Sequence, residues 1–226
     1  MAIYLQHDRG AQVKGVLFDM DGVVIDTEKL YTRFWMEAAR ELGHPMTLEQ
    51  ALQMRSLGRR PSQEKLDSFF GPGVLEYDVL RSLRIELMDA FIAVHGVEEK
   101  PGIRALLAHL KEKNIPCAIT SSSSIPLIRE HLGNLGLLEG FTALRSGKDV
   151  PHGKPAPDIY LAGAAAIGVA PENCLAIEDS PAGIEAAWRA GCMPIIVPDQ
   201  DQPSNEVLSR CFARADSLFD VMELIG

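Results

Sequence analysis

The chain is 226 residues long, enough to bury a sizeable core and to carry one domain with a smaller insertion. Its net charge of −9 argues against nucleic acid as a partner and leaves any anion site to a local group of cations. No apolar run approaches the ~20 residues of a membrane-spanning helix, which argues against the membrane as a partner.

Met1 to Val13 carries His7, Asp8 and Arg9 where a secretion signal would run from basic to apolar. The four cysteines, Cys117, Cys174, Cys192 and Cys211, are widely spaced and suggest no disulfide framework. Together these features lead to the expectation of a reducing, cytoplasmic compartment.

The first strand signal is Val16–Phe18, an uninterrupted apolar run suited to a buried parallel strand. It ends in Asp19 and Asp21, with Gly22 next, where the backbone can bend without a side chain clashing. Two carboxylates so close repel unless a positive charge lies between them, and hard oxygen donors suit Mg²⁺. Taken alone, Asp-x-Asp-Gly also fits an acidic turn or a fragment of a calcium loop.

From Glu28 the pattern turns helical: Leu30–Leu42, Leu48–Arg55, Gln63–Phe70 and Leu75–Val94, with no strand signal among them. This predicts an inserted helical bundle of about 70 residues, with Pro101-Gly102 marking the return. The expected division is residues 1–27 and 98–226 for the core and 28–97 for the insertion, joined by two crossings that act as a hinge. Arg59 and Arg60 follow Gly58 in what reads as a loop, where binding residues concentrate. Arg81 and Arg84 are weaker candidates, since a lone arginine on a helix ordinarily faces solvent.

After the insertion, strand and helix signals alternate. Helices are predicted at Ile103–Lys113, Pro157–Gly168 and Pro181–Ala190, and strands at Ile115–Ser121, Cys174–Glu178 and Met193–Val197. That alternation predicts an α/β fold, a doubly wound parallel sheet of Rossmann-like type carrying the helical cap. Ligands of such sheets bind beyond the carboxyl ends of the strands. There the chain places Asp19 and Asp21, the serines Ser121 to Ser124, and the adjacent acids Glu178 and Asp179. Ser180-Pro181 has the form of a helix start, which would present Asp179 at the strand end.

The chain resembles the haloacid dehalogenase superfamily of aspartyl-phosphate phosphotransferases, in the branch with a helical cap. The resemblance rests on LFDMDG at Leu17–Gly22, Ser121, Lys154 within GKPAPD, and Glu178-Asp179 within IEDSPAG, in that order. It extends from Val13 to Val197 and is nearest to the group of β-phosphoglucomutase and small sugar-phosphate phosphatases.

A phosphate monoester repels nucleophiles, so its charge must be balanced before a carboxylate can attack. Asp19 is assigned as the nucleophile and Asp21 as the general acid and base. Ser121 offers a hydroxyl and nearby N–H groups to a phosphoryl oxygen, with Ser122 sharing the task. Lys154 is a point charge that balances nucleophile and phosphate. Asp19 and Asp179 are expected to hold Mg²⁺; the resemblance adds the carbonyl of Asp21, and Glu178 is a second acid to ligate the metal or orient its waters. Thr27, Arg59 and Arg60 complete the substrate-contacting candidates.

The resemblance also implies a histidine four residues beyond Thr27 in the mutases, where it gates the general acid. This chain has Tyr31 there, which favours hydrolysis of a small phosphorylated metabolite, such as a sugar phosphate, over phosphate transfer within a hexose phosphate. Phosphonoacetaldehyde cleavage would need a Schiff-base lysine, and Lys29, Lys65 and Lys100 lack the apolar context for one. A non-catalytic binding module has no need of Asp19, Asp21, Lys154 and Asp179 together. A monomer or weak dimer is expected.

Overall fold

The computed structural model describes residues 3–4, 12–54, 57–199 and 202–226. The chain forms two compact units, one of Met1–Asp26 with Glu98–Gly226 and one of Thr27–Val97.

The smaller unit is helical, with α1 (Glu28–Glu41), α2 (Leu48–Gln53), α3 (Arg59–Phe70) and α4 (Tyr77–His95). Its interior gathers Trp35 and Ala38 of α1, Ala51 of α2, Leu66 of α3 and Leu80 of α4, with Met46 from the connection before α2, the apolar stripes that an amphipathic pattern must bury. Thr47 starts α2 with a reciprocal cap: its hydroxyl accepts from the Gln50 N–H while the Gln50 side chain accepts from the Thr47 N–H. Arg55, included in the predicted second helix, lies outside the described residues. Helix α3 begins four residues earlier than expected, so Arg59 and Arg60 form its first turn instead of a loop. The extended backbone of Gly58 supplies the cap, and Pro61 is tolerated because the first turn needs few N–H donors.

The larger unit is built on one seven-stranded sheet. Its strands are β1 (Ile3–Tyr4), β2 (Gly15–Phe18), β3 (Cys117–Ser121), β4 (Ala143–Ser146), β5 (Cys174–Glu178), β6 (Met193–Ile196) and β7 (Ala213–Arg214), in the order β1-β7-β6-β5-β2-β3-β4. Strands β2 to β7 run parallel, and β1 pairs antiparallel with β7 at one edge. Helices α5 (Ile103–Glu112), α6 (Ile125–Asn134), α7 (Asp158–Ile167), α8 (Pro181–Arg189), α9 (Asn205–Arg210) and α10 (Leu218–Ile225) complete it. Every residue of β2, β3 and β5 is buried, which is why these segments read as unbroken apolar runs.

Strand β2 lies between β3 and β5, with Phe18 opposite both Ile119 and Ile177. The chain winds outward from β2 in both directions, so the crevice beyond its carboxyl end is where such sheets bind ligands. The segments leaving and re-entering the sheet unit are themselves paired: Asp26 N–H donates to the Glu98 carbonyl at 2.8 Å and Lys100 N–H to the Val24 carbonyl at 2.9 Å. The Lys100 ammonium fixes this ribbon through Asp199 at 2.6 Å and Asp26 at 3.7 Å. All four cysteines are buried thiols.

Candidate active site

Asp19 is the first residue past β2, and its N–H still donates to the sheet, to the Ile177 carbonyl at 3.0 Å. The chain then folds back on itself: the N–H groups of Val24 and Ile25 both donate to the Met20 carbonyl, and Gly22 N–H to the Ile25 carbonyl at 2.9 Å. Gly22 has φ of 82°, a left-handed conformation that a side chain would strain. This turn sets Asp21 two residues beyond Asp19 and holds both aspartates at the sheet's carboxyl end.

Lys154, from the loop ahead of α7, reaches the same place. Its ammonium is 2.5 Å from Asp19 Oδ1 and 2.6 Å from Glu178 Oε1, and its side chain is 9% exposed. Glu178 closes β5 with no exposure at all. It also accepts hydrogen bonds from the Tyr160 hydroxyl and from Ser180 Oγ at 3.0 Å. The Ser180 hydroxyl in turn accepts from Gly183 N–H, the N-terminal cap of α8 that the sequence indicates. Asp179 completes a group with Asp19 and Glu178 in which one carboxylate oxygen from each lies within 4.8 Å of the others.

One ammonium faces this concentration of acid. Burial pushes the Asp19 carboxyl up to about 8; Glu178 and Asp21 add to the rise while Lys154 opposes it. Burial works against the charge on Lys154, but Asp19 and Glu178 outweigh it and hold the lysine well above its usual value. The excess of negative charge calls for a further cation, and carboxylate oxygens suit a hard divalent ion such as Mg²⁺. The side chain of Asp21 lies outside that three-carboxylate group.

Ser121 ends β3 fully buried, and its hydroxyl oxygen accepts from the Ser123 N–H at 3.0 Å. Ser122 is exposed. The four-serine run is therefore a structured turn into α6. Ser123 was not singled out from sequence, yet its hydroxyl donates to Asp21 Oδ2 at 3.4 Å and its carbonyl accepts from Ser146 Oγ at 2.8 Å. Tyr160 is a second residue that the sequence did not flag. Its position six residues after Lys154 on an apolar helix face suggests only core packing.

The helical unit holds the remaining candidates. Thr27 is buried at the start of α1. Arg59 forms a forked pair with Asp78, including Nε to Oδ1 at 2.9 Å, and Arg60 pairs with Glu64 at 3.0 Å; both arginines are exposed. Arg84 corrects the expectation of a solvated arginine. It is only 6% exposed, with its guanidinium 4.7 Å from the Tyr31 ring centre and 4.9 Å from that of Trp35. Aromatic faces attract the cation, which lets a helix bury it. Burial lowers its pKa below the usual value, and Tyr31 opposes that shift.

A buried nucleophile-competent carboxylate beside a lysine, at the switch point of a doubly wound sheet, defines an enzyme site. The chain belongs to the haloacid dehalogenase-like hydrolases, whose family model matches residues 13–191. It is similar to hexitol phosphatase A of Escherichia coli strain K12, at 35% identity over 86% of this chain and 88% of that protein. It is similar also to the β-phosphoglucomutase of Bacillus subtilis, at 33% identity over 84% of this chain and 85% of that protein. Among solved structures it matches a mutant of CbbY from Rhodobacter sphaeroides in complex with xylulose-(1,5)bisphosphate. That match has a TM-score of 0.67 and 26% identity, and covers 92% of this chain and 95% of the other. The chain is accordingly a hydrolase of the phosphatase kind. No helix among the described residues is long and apolar enough to cross a membrane.

Proposed function

We propose that the protein is a Mg²⁺-dependent phosphatase of small phosphorylated carbohydrates that works through an aspartyl-phosphate on Asp19. The observation that carries the reading is the Lys154 ammonium shared by Asp19 and Glu178 at 2.5 and 2.6 Å, next to Asp179. The sugar class is supported by the names of the relatives, which act on hexitol phosphates and on glucose phosphates.

In the first half-reaction an oxygen of Asp19 attacks phosphorus, the ester P–O bond breaks, and its electron pair leaves with the alcohol oxygen. Asp21 gives that oxygen its proton. In the second, Asp21 takes a proton from water as the water oxygen attacks phosphorus, and the acyl-phosphate bond returns its electrons to Asp19. Lys154 balances charge on Asp19 and on the phosphoryl group, and its fixed position avoids reorganisation during the reaction. Ser121, with Ser122, offers donors to the phosphoryl oxygens. Asp19, Asp179 and the Asp21 carbonyl would hold Mg²⁺, which when bound supplies the positive charge that lets two anions meet. Arg59 and Arg60 are proposed to meet the substrate away from the reacting phosphate, with Thr27 as a further contact.

Tyr31 in place of a gating histidine favours release of phosphate over its return to a sugar. The test is phosphate release from a panel of hexose, pentose and hexitol phosphates with Mg²⁺, alongside β-glucose 1-phosphate with a trace of glucose 1,6-bisphosphate. Release from several sugar phosphates is expected. Efficient formation of glucose 6-phosphate with little phosphate released would overturn the hydrolase reading.

A further inference from the structure

The Lys100 ammonium is held between two acids, 2.6 Å from Asp199 Oδ1 and 3.7 Å from Asp26 Oδ1, and its side chain is 15% exposed. Both acids are less exposed still. An exposed ion pair contributes little, but opening a largely buried one leaves charge uncompensated, so this contact resists separation.

The two sides of the contact are fastened differently. Asp199 lies three residues past β6, in a segment whose Val197 N–H donates to the Glu178 carbonyl at 2.8 Å, so the sheet anchors it. The Lys100 backbone belongs to the ribbon that carries Asp21. Its N–H donates to the Val24 carbonyl at 2.9 Å, and Ile25 forms bridges with both Glu99 and Asp21. Gly22 N–H closes the Asp21 turn on the Ile25 carbonyl. A two-stranded ribbon has little stability of its own, so its position depends on what fastens it to the sheet.

We propose that Lys100 is a positioning residue: by clamping this ribbon to Asp199 it holds Asp21 where the leaving oxygen needs its proton. The inference rests on the reading of Asp21 as general acid and base. When the ester P–O bond breaks, its electron pair goes to the leaving oxygen. An alkoxide needs the Asp21 proton as it forms, whereas a nitrophenolate leaves as a stable anion without one. A displaced Asp21 therefore slows cleavage of an alkyl phosphate far more than of an aryl phosphate. A lysine that only supported the fold would slow both alike.

The experiment compares the full-length wild type with Lys100→Met, Asp199→Asn and Asp21→Asn. Each is measured with Mg²⁺ on p-nitrophenyl phosphate and on the sugar or hexitol phosphate that the wild type hydrolyses best. Amide hydrogen exchange is followed in parallel. Lys100→Met should lower kcat/KM about tenfold for the alkyl phosphate and less than about twofold for the aryl phosphate. Asp199→Asn keeps the lysine and Asp26, and should show the same bias at smaller size even if Lys100→Met folds poorly. In both variants the Asp26 and Lys100 amides should exchange faster while those of β2 and β5 hold. Equal losses on the two substrates, or unchanged exchange in the ribbon, would each overturn the proposal. If Asp21→Asn shows no bias against the alkyl phosphate, the reading of Asp21 as the acid fails instead, and the exchange rates still decide whether Lys100 holds the ribbon.

Discussion

The cluster at the ends of β2 and β5 and the arginines of the helical unit handle charge in opposite ways. Asp19 and Glu178 are buried and the Lys154 side chain is nearly so, and each is fixed by partners from separate elements of the sheet unit. Arg59 and Arg60 are exposed, and their acids, Asp78 and Glu64, lie on the next helix and one turn along the same helix. In a low-dielectric interior an unpaired charge is strongly unfavourable, so neighbours must compensate it from several directions. Water does that for the surface arginines, which can therefore vary without loss of the fold. Under the proposed function, the first region carries the chemistry and the second is where discrimination among substrates would be tuned.

The sharpest way to break this contrast is at the nucleophile. Asp19→Asn should leave the melting temperature close to wild type or above it, since it relieves a crowded acid cluster, while phosphate release falls by several orders of magnitude. Retention of a tenth of the activity would remove Asp19 from its role. Lys154→Ala should follow, with kcat down by about 10²- to 10³-fold, the scale of losing one preorganised stabilising charge. Stability should fall as well, because Asp19 and Glu178 are left buried without their cation.

Metal titration should separate two acids that are neighbours in sequence. A chelator should abolish turnover and Mg²⁺ restore it, and Asp179→Ala should weaken Mg²⁺ binding more than Glu178→Ala does. A pH dependence accompanies this. In the folded chain without metal the Asp19 carboxyl keeps its proton up to about 8, against 3.8 for the ordinary carboxyl. Between those values the folded state holds a proton that the unfolded state has released, so this group makes stability decline as pH rises. Melting curves without metal should fall through that range. Added Mg²⁺ should recover the loss most strongly near its upper end, because the metal competes with the proton. Melting temperatures that rose from pH 5 to pH 8 without metal would contradict the assignment.

The same contrast accounts for what the sequence disclosed. Strands β2 and β5 were legible because they are buried on both faces, Asp19 and Asp179 because they follow such strands directly, and Glu178 because it ends one. Strand β4 was missed because an edge strand reading Ala-Leu-Arg-Ser, with Arg145 exposed, carries no unbroken apolar run. Helix α6 was missed because its serine approach resembles a turn, although Ser124 and Pro126 are suitable starting residues. The contact of Tyr160 with Glu178 exists only after α7 packs on the sheet, and no local pattern announces it. Arg84 misled because burial by the aromatic faces of Tyr31 and Trp35 depends on how α1 and α4 meet.

Gly183 offers an intermediate effect. Gly183→Ala would push a methyl group against the Glu178 carboxylate, an overpacking that costs about 1–3 kcal/mol. For a chain of this length that lowers the melting temperature by roughly 2–4 °C per kcal/mol. Activity should drop with it, since Glu178 can yield only by disturbing Lys154. Unchanged melting and turnover would mean that α8 shifts to make room.

The smallest effect is expected in the helical unit. Arg59→Ala removes an exposed partner of Asp78, and water can solvate both the vacated space and the carboxylate. The melting temperature should therefore stay within experimental error. If Arg59 meets the part of the substrate away from the reacting phosphate, KM should rise several-fold with kcat held, the pattern of lost uniform binding. The rise should be greater for sugar bisphosphates than for hexitol monophosphates, because a second anionic group is what a guanidinium grips best. Arg60→Ala provides the comparison: its acid lies one turn along the same helix, so its removal disturbs less of the unit. Equal KM values for both variants and the wild type across all substrates would restrict the pair to surface charge balance, leaving the chemistry at Asp19 untouched.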